Sequence, residues 1–195
     1  HKVMENQKSS FRRYADVLEK LGLPVLLNFS SIYGEGKGNF AEIEPVTGPK
    51  GRQKWIGIAP FAKHEGKIYP IELEEQVVAH FAGRPDVKVF LFGGGRSEQE
   101  VFDSWILKYP TVVSMIGKLN MSTELNLMSH LDVMLSMDSA NMHLASLGSY
   151  SSLCRIYGME TVAYQYGTTR SFLSSLFGIR AETLFSQGLC VYAEY

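Results

Sequence analysis

The sequence predicts an α/β protein: a parallel sheet with helices on both faces. Three observations carry that prediction. Four short apolar stretches, residues 55–59, 87–92, 111–115 and 133–137, alternate along the chain with stretches of helical periodicity. The apolar stretches are hydrophobic almost throughout, as strands buried on both faces are, instead of alternating with polar residues. The segments between them are long enough to carry the chain back to the start of a parallel neighbour, which a tight hairpin cannot do.

Taken in order, Ser9 and Ser10 supply caps for a helix whose Phe11, Tyr14, Ala15, Leu18 and Leu21 recur at three- and four-residue spacing, and which stops at Gly22. Residues 30–54 turn to Gly, Pro, Lys, Glu and Asn, including Gly34-Glu35-Gly36-Lys37-Gly38. They read as a long connection without regular structure, a mobile surface loop rather than a ligand lid. Strand 55–59 follows, then a helix over 71–81 ended by Gly83, strand 87–92, a helix over 98–107 and strand 111–115. A helix over 122–131, strand 133–137 and a helix over 140–147 complete the pattern. This divides the chain into a helix and loop over 1–54, a sheet domain over 55–147 and an atypical tail over 148–195.

Bulk properties narrow the function. A chain of 195 residues with 45% hydrophobic content suffices for one compact α/β domain. Lys+Arg 19 against Asp+Glu 20 leaves a net charge of -1, so no broad basic field exists to hold nucleic acid or an anionic membrane, and phosphate binding must be local. Cys154 and Cys190 stand far apart with no CxxC spacing, so no zinc site or disulfide framework is indicated and a reducing cytoplasm is expected. No apolar run is long enough to span a bilayer, and the polar first residues are unlike a signal peptide. A chain beginning at His1 without Met reads as a fragment.

In parallel sheets ligands gather at the carboxyl ends of the strands, where helix N-termini present free N–H groups. The loops there are 60–70, 93–97, 117–122 and 138–143. The first holds Lys63, His64 and Lys67, cations able to neutralise a diphosphate; a lysine in such a loop is also commonly just solvated. The second opens with Gly93-Gly94-Gly95, which lets a ligand approach the backbone. It is not a dinucleotide fingerprint, because Glu98 stands at the third glycine and the motif follows the second strand, which disfavours an NAD enzyme. Glu98 is either an acceptor for ribose or sugar hydroxyls or a helix N-terminal acid favoured by the dipole. The last loop places Asp138 and Ser139 at an N-cap and His143 one turn on. It is either a plain capped helix or a phosphate- and hydroxyl-binding turn. No Gly-x-Ser-x-Gly elbow accompanies it, so a hydrolase triad is not indicated, and no Asp-x-Asp pair is present to grip a diphosphate through a metal.

These loops resemble glycosyltransferase family nine, the ADP-heptose:lipopolysaccharide heptosyltransferases, over residues 55–147. The matching features are Lys67 before Tyr69-Pro70, the glycines and acid from Gly93 to Glu98, then Gly117, Lys118, Ser122 and Glu124, and finally Asp138 to His143. Ala140 stands where the family usually has glycine, which tightens the space for a phosphate but keeps the N–H. The resemblance implies the Rossmann-like C-terminal, donor-binding half of a GT-B glycosyltransferase. It implies inverting transfer without a metal or cofactor from a nucleotide diphosphate sugar such as ADP-heptose to a lipopolysaccharide core acceptor. In that frame Lys67 stabilises the departing diphosphate, Asp138, Ser139 and His143 bind phosphate and sugar, and Glu98 and Met121 contact the nucleoside. Ala62, Lys63 and Ala140 complete the donor site.

The general base and the lipid-linked saccharide acceptor would belong to an N-terminal domain not in this chain, the helix at residues 9–21 resembling the linker between halves. Donor binding with little transfer is therefore expected, in the cytoplasm with at most peripheral contact to the inner membrane and no nucleic acid partner. After Leu147 the rhythm stops. Codons for residues 148–156 and 172–184, read one nucleotide later, permit peptides that resemble family segments, so a frameshifted tail lacking one core strand is expected, with Tyr164, Tyr166, Phe172 and Phe177 carrying no function. The alternatives are a nucleotide-sugar epimerase or another GT-B relative, and a non-catalytic nucleotide-binding remnant.

Overall fold

The computed structural model describes residues 8–29 and 31–148. The tail from 149 onward, with both cysteines and the proposed frameshift, lies outside the described residues. The chain divides into two units, residues 1–30 and 31–195.

In the first unit, α1 (Ser10–Lys20) is capped by Ser9, whose hydroxyl accepts from the Arg12 N–H at 3.3 Å. It ends as the glycine predicts. Gly22 takes φ +77°, its N–H donates to the Glu19 carbonyl, and the Leu23 N–H reaches the Leu18 carbonyl at 2.9 Å, closing a Schellman turn.

The stretch 30–54 is not an irregular loop: it contains α2 (Phe40–Thr47). Asn39 caps it by accepting from the Ala41 N–H at 3.2 Å. Pro45 lies within the helix and removes one hydrogen bond, tolerable in so short a segment because Pro45 faces solvent. Burial pays for this local weakness: Ile43 and Thr47 are buried and Phe40 stacks 5.9 Å from Trp55. The signal was present in Phe40, Ile43, Val46 and Thr47, which recur at helical spacing beneath a composition dominated by Gly and Pro.

Four parallel strands follow: β1 (Lys54–Ala59), β2 (Val87–Leu91), β3 (Val112–Ser114) and β4 (Val133–Ser136), in the order β3-β2-β1-β4. Between them run α3 (Ile71–Ala82), α4 (Arg96–Lys108) and α5 (Met121–His130), and α6 (Ala140–Gly148) follows β4. The chain steps one way from β1 to β3, then returns past β1 to β4. Right-handed crossovers therefore send α3 and α4 to one face and α5 to the other. The core obeys this. Ile56, Ile58, Val87, Val89, Leu91 and Val133 pack under Val78, Phe81, Phe102 and Trp105 of α3 and α4. Their neighbours in sequence, Trp55, Ala59, Phe90, Phe92 and Met134, point the other way, onto Ile43, Leu127, Met128 and Ala145 of α2, α5 and α6. Each such large side chain contributes about 1.5–3 kcal/mol when fully buried. Gly57 belongs to the same pattern, since a Cβ there would stand 2.6 Å from a Leu131 methyl.

Candidate functional site

The reversal of direction between β1 and β4 opens a crevice at their carboxyl ends, the topological switch point at which open α/β sheets bind ligands. Ala59 pairs in register with Ser136, so the two strands end level and the loops after them start side by side. The loop after β1 carries a 3₁₀ turn over Glu65–Lys67, in which the Lys67 N–H donates to the His64 carbonyl at 2.9 Å. The turn brings Lys67 back over the sheet rim, and its Nζ donates to Asp138 Oδ2 at 2.6 Å. Residues 71 apart in sequence thus meet across the switch point. Asp138 is mostly covered while the Lys67 side chain stays 43% exposed, so the pair is open to an incoming group.

An open cavity of about 500 Å³ surrounds this pair. Its walls include eight of the nine residues expected from the sequence: Ala62, Lys63 and Lys67 after β1, Glu98 on α4, and Asp138, Ser139, Ala140 and His143 after β4. Met121 is the exception. It is the first residue of α5, is 62% exposed, and does not line the cavity. Lys118 and Ser122, from the same segment, are also exposed outside it. The cavity also takes in His64, named with the lysines of its loop but not among the nine, and adds Asn141 and Phe61, which the sequence does not single out. His64 and Asn141 sit in loops already singled out; Phe61 is seen only in three dimensions, where it stacks 5.6 Å from Phe102 and continues the core up to the cavity.

The three glycines after β2 separate into three roles. A Cβ on Gly93 would stand 2.5 Å from Glu98 Oε2, so Gly93 makes room for that carboxylate. Gly94 is open and donates its N–H to the same oxygen at 2.7 Å. Gly95 takes φ +90° and starts α4. Glu98 therefore closes the helix start with one oxygen, and its side chain lines the cavity. On the last loop Ser139 directly precedes α6, and its Oγ lies 3.3 Å from Ser136 Oγ. Among the described residues no cluster of three or more His, Cys, Asp or Glu side chains is placed to hold a metal ion.

A parallel sheet wound in both directions with a cavity at its switch point defines a Rossmann-like class of α/β domain. The model of glycosyltransferase family 9 (heptosyltransferase) matches residues 14–148, and the chain belongs to that family. No curated protein sequence matches it. Among solved structures, E. coli heptosyltransferase WaaC with ADP-2-deoxy-2-fluoro heptose is similar at 15% identity and a TM-score of 0.60, over 86% of this chain and 49% of that one. The glycosyltransferase family 9 protein from Veillonella parvula is similar at 16% identity and a TM-score of 0.61, over 96% of this chain and 61% of that one. At such identities the likeness speaks to fold. The chain spans about half the length of the WaaC structure.

Proposed function

We propose that the cavity is the donor site of a heptosyltransferase-like enzyme, binding a nucleotide diphosphate sugar such as ADP-heptose for inverting, metal-independent transfer to a lipopolysaccharide core acceptor. The observation that carries this is the Lys67–Asp138 pair at 2.6 Å on the β1/β4 crevice, inside one cavity with Ser139 and His143. Lys67, held by Asp138, offers its ammonium to the leaving diphosphate, and stabilising charge that develops at a leaving group is where a preorganised cation lowers a barrier most. Asp138, Ser139 and His143 take phosphate oxygens and sugar hydroxyls, with the N-terminus of α6 adding its partial positive charge. Glu98 faces the nucleoside with the oxygen that Gly94 leaves unused; Met121, exposed at the start of α5, is available to a base that extends along the sheet rim. Ala62, Lys63 and Ala140 line the same space.

Transfer also needs an acceptor site and a general base, which this reading assigns to the part of the fold outside the 49% of the WaaC structure's chain that this chain covers. WaaC structures hold ADP and an ADP-sugar analogue, which makes adenine nucleotides the first ligands to test. Among the described residues no helix is long and apolar enough to cross a membrane, consistent with a proposed cytoplasmic site of action with at most peripheral membrane contact. Calorimetric titration with ADP, UDP and GDP, beside Lys67→Ala and Asp138→Ala, tests the proposal. Selective ADP binding weakened in both variants is expected. Preference for UDP would point to an epimerase-like relative, and no binding of any of the three would refute the donor site.

A further inference from the structure

We propose that the cavity takes up a proton when a sugar-bearing diphosphate enters, and that His143 and His64 hold it, making both imidazoles switchable cations of the donor site. The inference deepens the donor-site reading and rests on it. Its basis is the charge balance of the walls. The permanently charged side chains lining the cavity are Lys63 and Lys67 against Glu98 and Asp138, and these cancel. Lys67 and Asp138, paired at 2.6 Å, add no net charge to the walls. A diphosphate diester brings one full negative charge on each phosphoryl group. The N-terminus of α6 offers roughly half a positive charge in return, too little to match it.

Among the lining residues, the groups that can acquire further positive charge are the two histidines. Imidazole is the side chain that ordinarily changes charge between about pH 5 and 8, and a nearby anion favours its protonated form. His64 and His143 both line the cavity and both are exposed, so neither needs to break a buried contact to turn toward a ligand. They stand on the two loops that the Lys67–Asp138 pair joins: His64 opens the 3₁₀ turn of Lys67, and His143 lies in the first turn of α6 after Asp138. The other titratable groups nearby do not replace them. Glu65 and Arg96 lie on the same loops outside the lining. α5, which packs on α6, brings Glu124, outside the lining, and His130, whose Nε2 is 2.8 Å from the Gly38 carbonyl. Asn141 on the same wall has no charge to gain.

Calorimetry of the full chain with ADP-glucose decides the matter, because this diester has no proton of its own to lose near neutrality. Titrations at pH 7.2 in HEPES and in Tris, buffers with different ionisation enthalpies, read the protons exchanged. The expected result is uptake of about half to one proton per site, with affinity rising roughly tenfold per participating histidine between pH 8 and pH 6. His143→Gln should lower the uptake, and His64→Gln combined with it should abolish uptake and flatten the pH dependence while weaker binding persists. Binding with no proton uptake, or uptake unchanged in the double variant, overturns the inference and leaves the donor site standing. Absence of binding by both ADP-glucose and ADP across this pH range overturns the donor-site reading itself, and the inference with it.

Discussion

At the amino ends of β1 and β4, Lys50 meets Asp132 at 2.9 Å; at their carboxyl ends, Lys67 meets Asp138 at 2.6 Å. The first pair is saturated. Asp132 Oδ2 also accepts the Trp55 backbone N–H at 2.8 Å, Lys54 stands 3.6 Å from Oδ1, and Lys50 donates to the His130 carbonyl at 2.6 Å while lying 5.4 Å over the Trp55 ring. The second pair is not. Among the described residues Lys67 is the polar partner of Asp138, and both face a cavity. Burial acts against ionisation of Asp132, yet the Trp55 N–H and Lys50 outweigh it and hold its carboxyl below the usual range. The same two residue types flanking the same two strands thus form a multiply bonded structural pair at one end and a pair with few other partners, facing a cavity, at the other.

The largest effect should come from breaking the saturated end. Asp132→Ala strands the Trp55 N–H and two lysines and should cost about 2–4 kcal/mol in urea unfolding, with nucleotide affinity of the folded protein unchanged. A loss below about 1 kcal/mol would show that the two ends do not differ as described. Lys67→Ala reverses the pattern: nucleotide binding should weaken roughly 10–100-fold, the range for a charge-assisted contact, while stability stays within about 1 kcal/mol because the lysine side is solvent-exposed and water can replace it at Asp138.

Gly93→Ala sharpens the comparison at the cavity wall. The new Cβ would meet Glu98 Oε2 at 2.5 Å and Phe102 at 3.1 Å, so about 1–2 kcal/mol of stability should be lost to crowding. Part of that loss should disappear when Glu98→Ala is added; full additivity in the double-mutant cycle would show that Glu98 does not set the requirement for glycine.

The smallest effect is in pH. Because Asp132 titrates lower in the folded chain than unfolded, its ionic contribution is fully present above the ordinary carboxylate pKa and is lost as pH falls through the depressed value. The stability gap between the parent and Asp132→Asn, expected near 1 kcal/mol at pH 7, should hold down to about pH 5 and shrink below about pH 4. A gap that stays constant to pH 3 would remove the ion pair from the explanation.

Much of the sheet was legible in one dimension, because strands buried on both faces have to be apolar at nearly every position. The runs beginning at Trp55, Val87, Thr111 and Val133 each coincide with an observed strand to within a few residues, and Gly22 and Gly83 stand where α1 and α3 end. The helix α2 was not legible, since Gly34, Gly36, Gly38 and Pro45 outweighed the spacing of Phe40, Ile43 and Val46, and its stability comes from contacts with Trp55 and α5 that lie far along the chain. A helix this short is marginal by propensity alone and forms where tertiary burial holds it.

The site divides along the same line. Sequence by itself determined which loops carry cations, glycines and carboxylates, and that Lys67, Glu98, Asp138 and His143 stand beside strand ends, because strand and helix periods place those positions without reference to the rest of the fold. Only the tertiary structure decided that Lys67 and Asp138 are ion-paired, that Glu98 spends one oxygen on Gly94, that His64 joins the cavity and that Met121 does not line it. Those outcomes depend on strand order, since the return from β3 past β1 is what sets the loops after β1 and β4 side by side, and strand order is a property of long-range packing that no local pattern encodes.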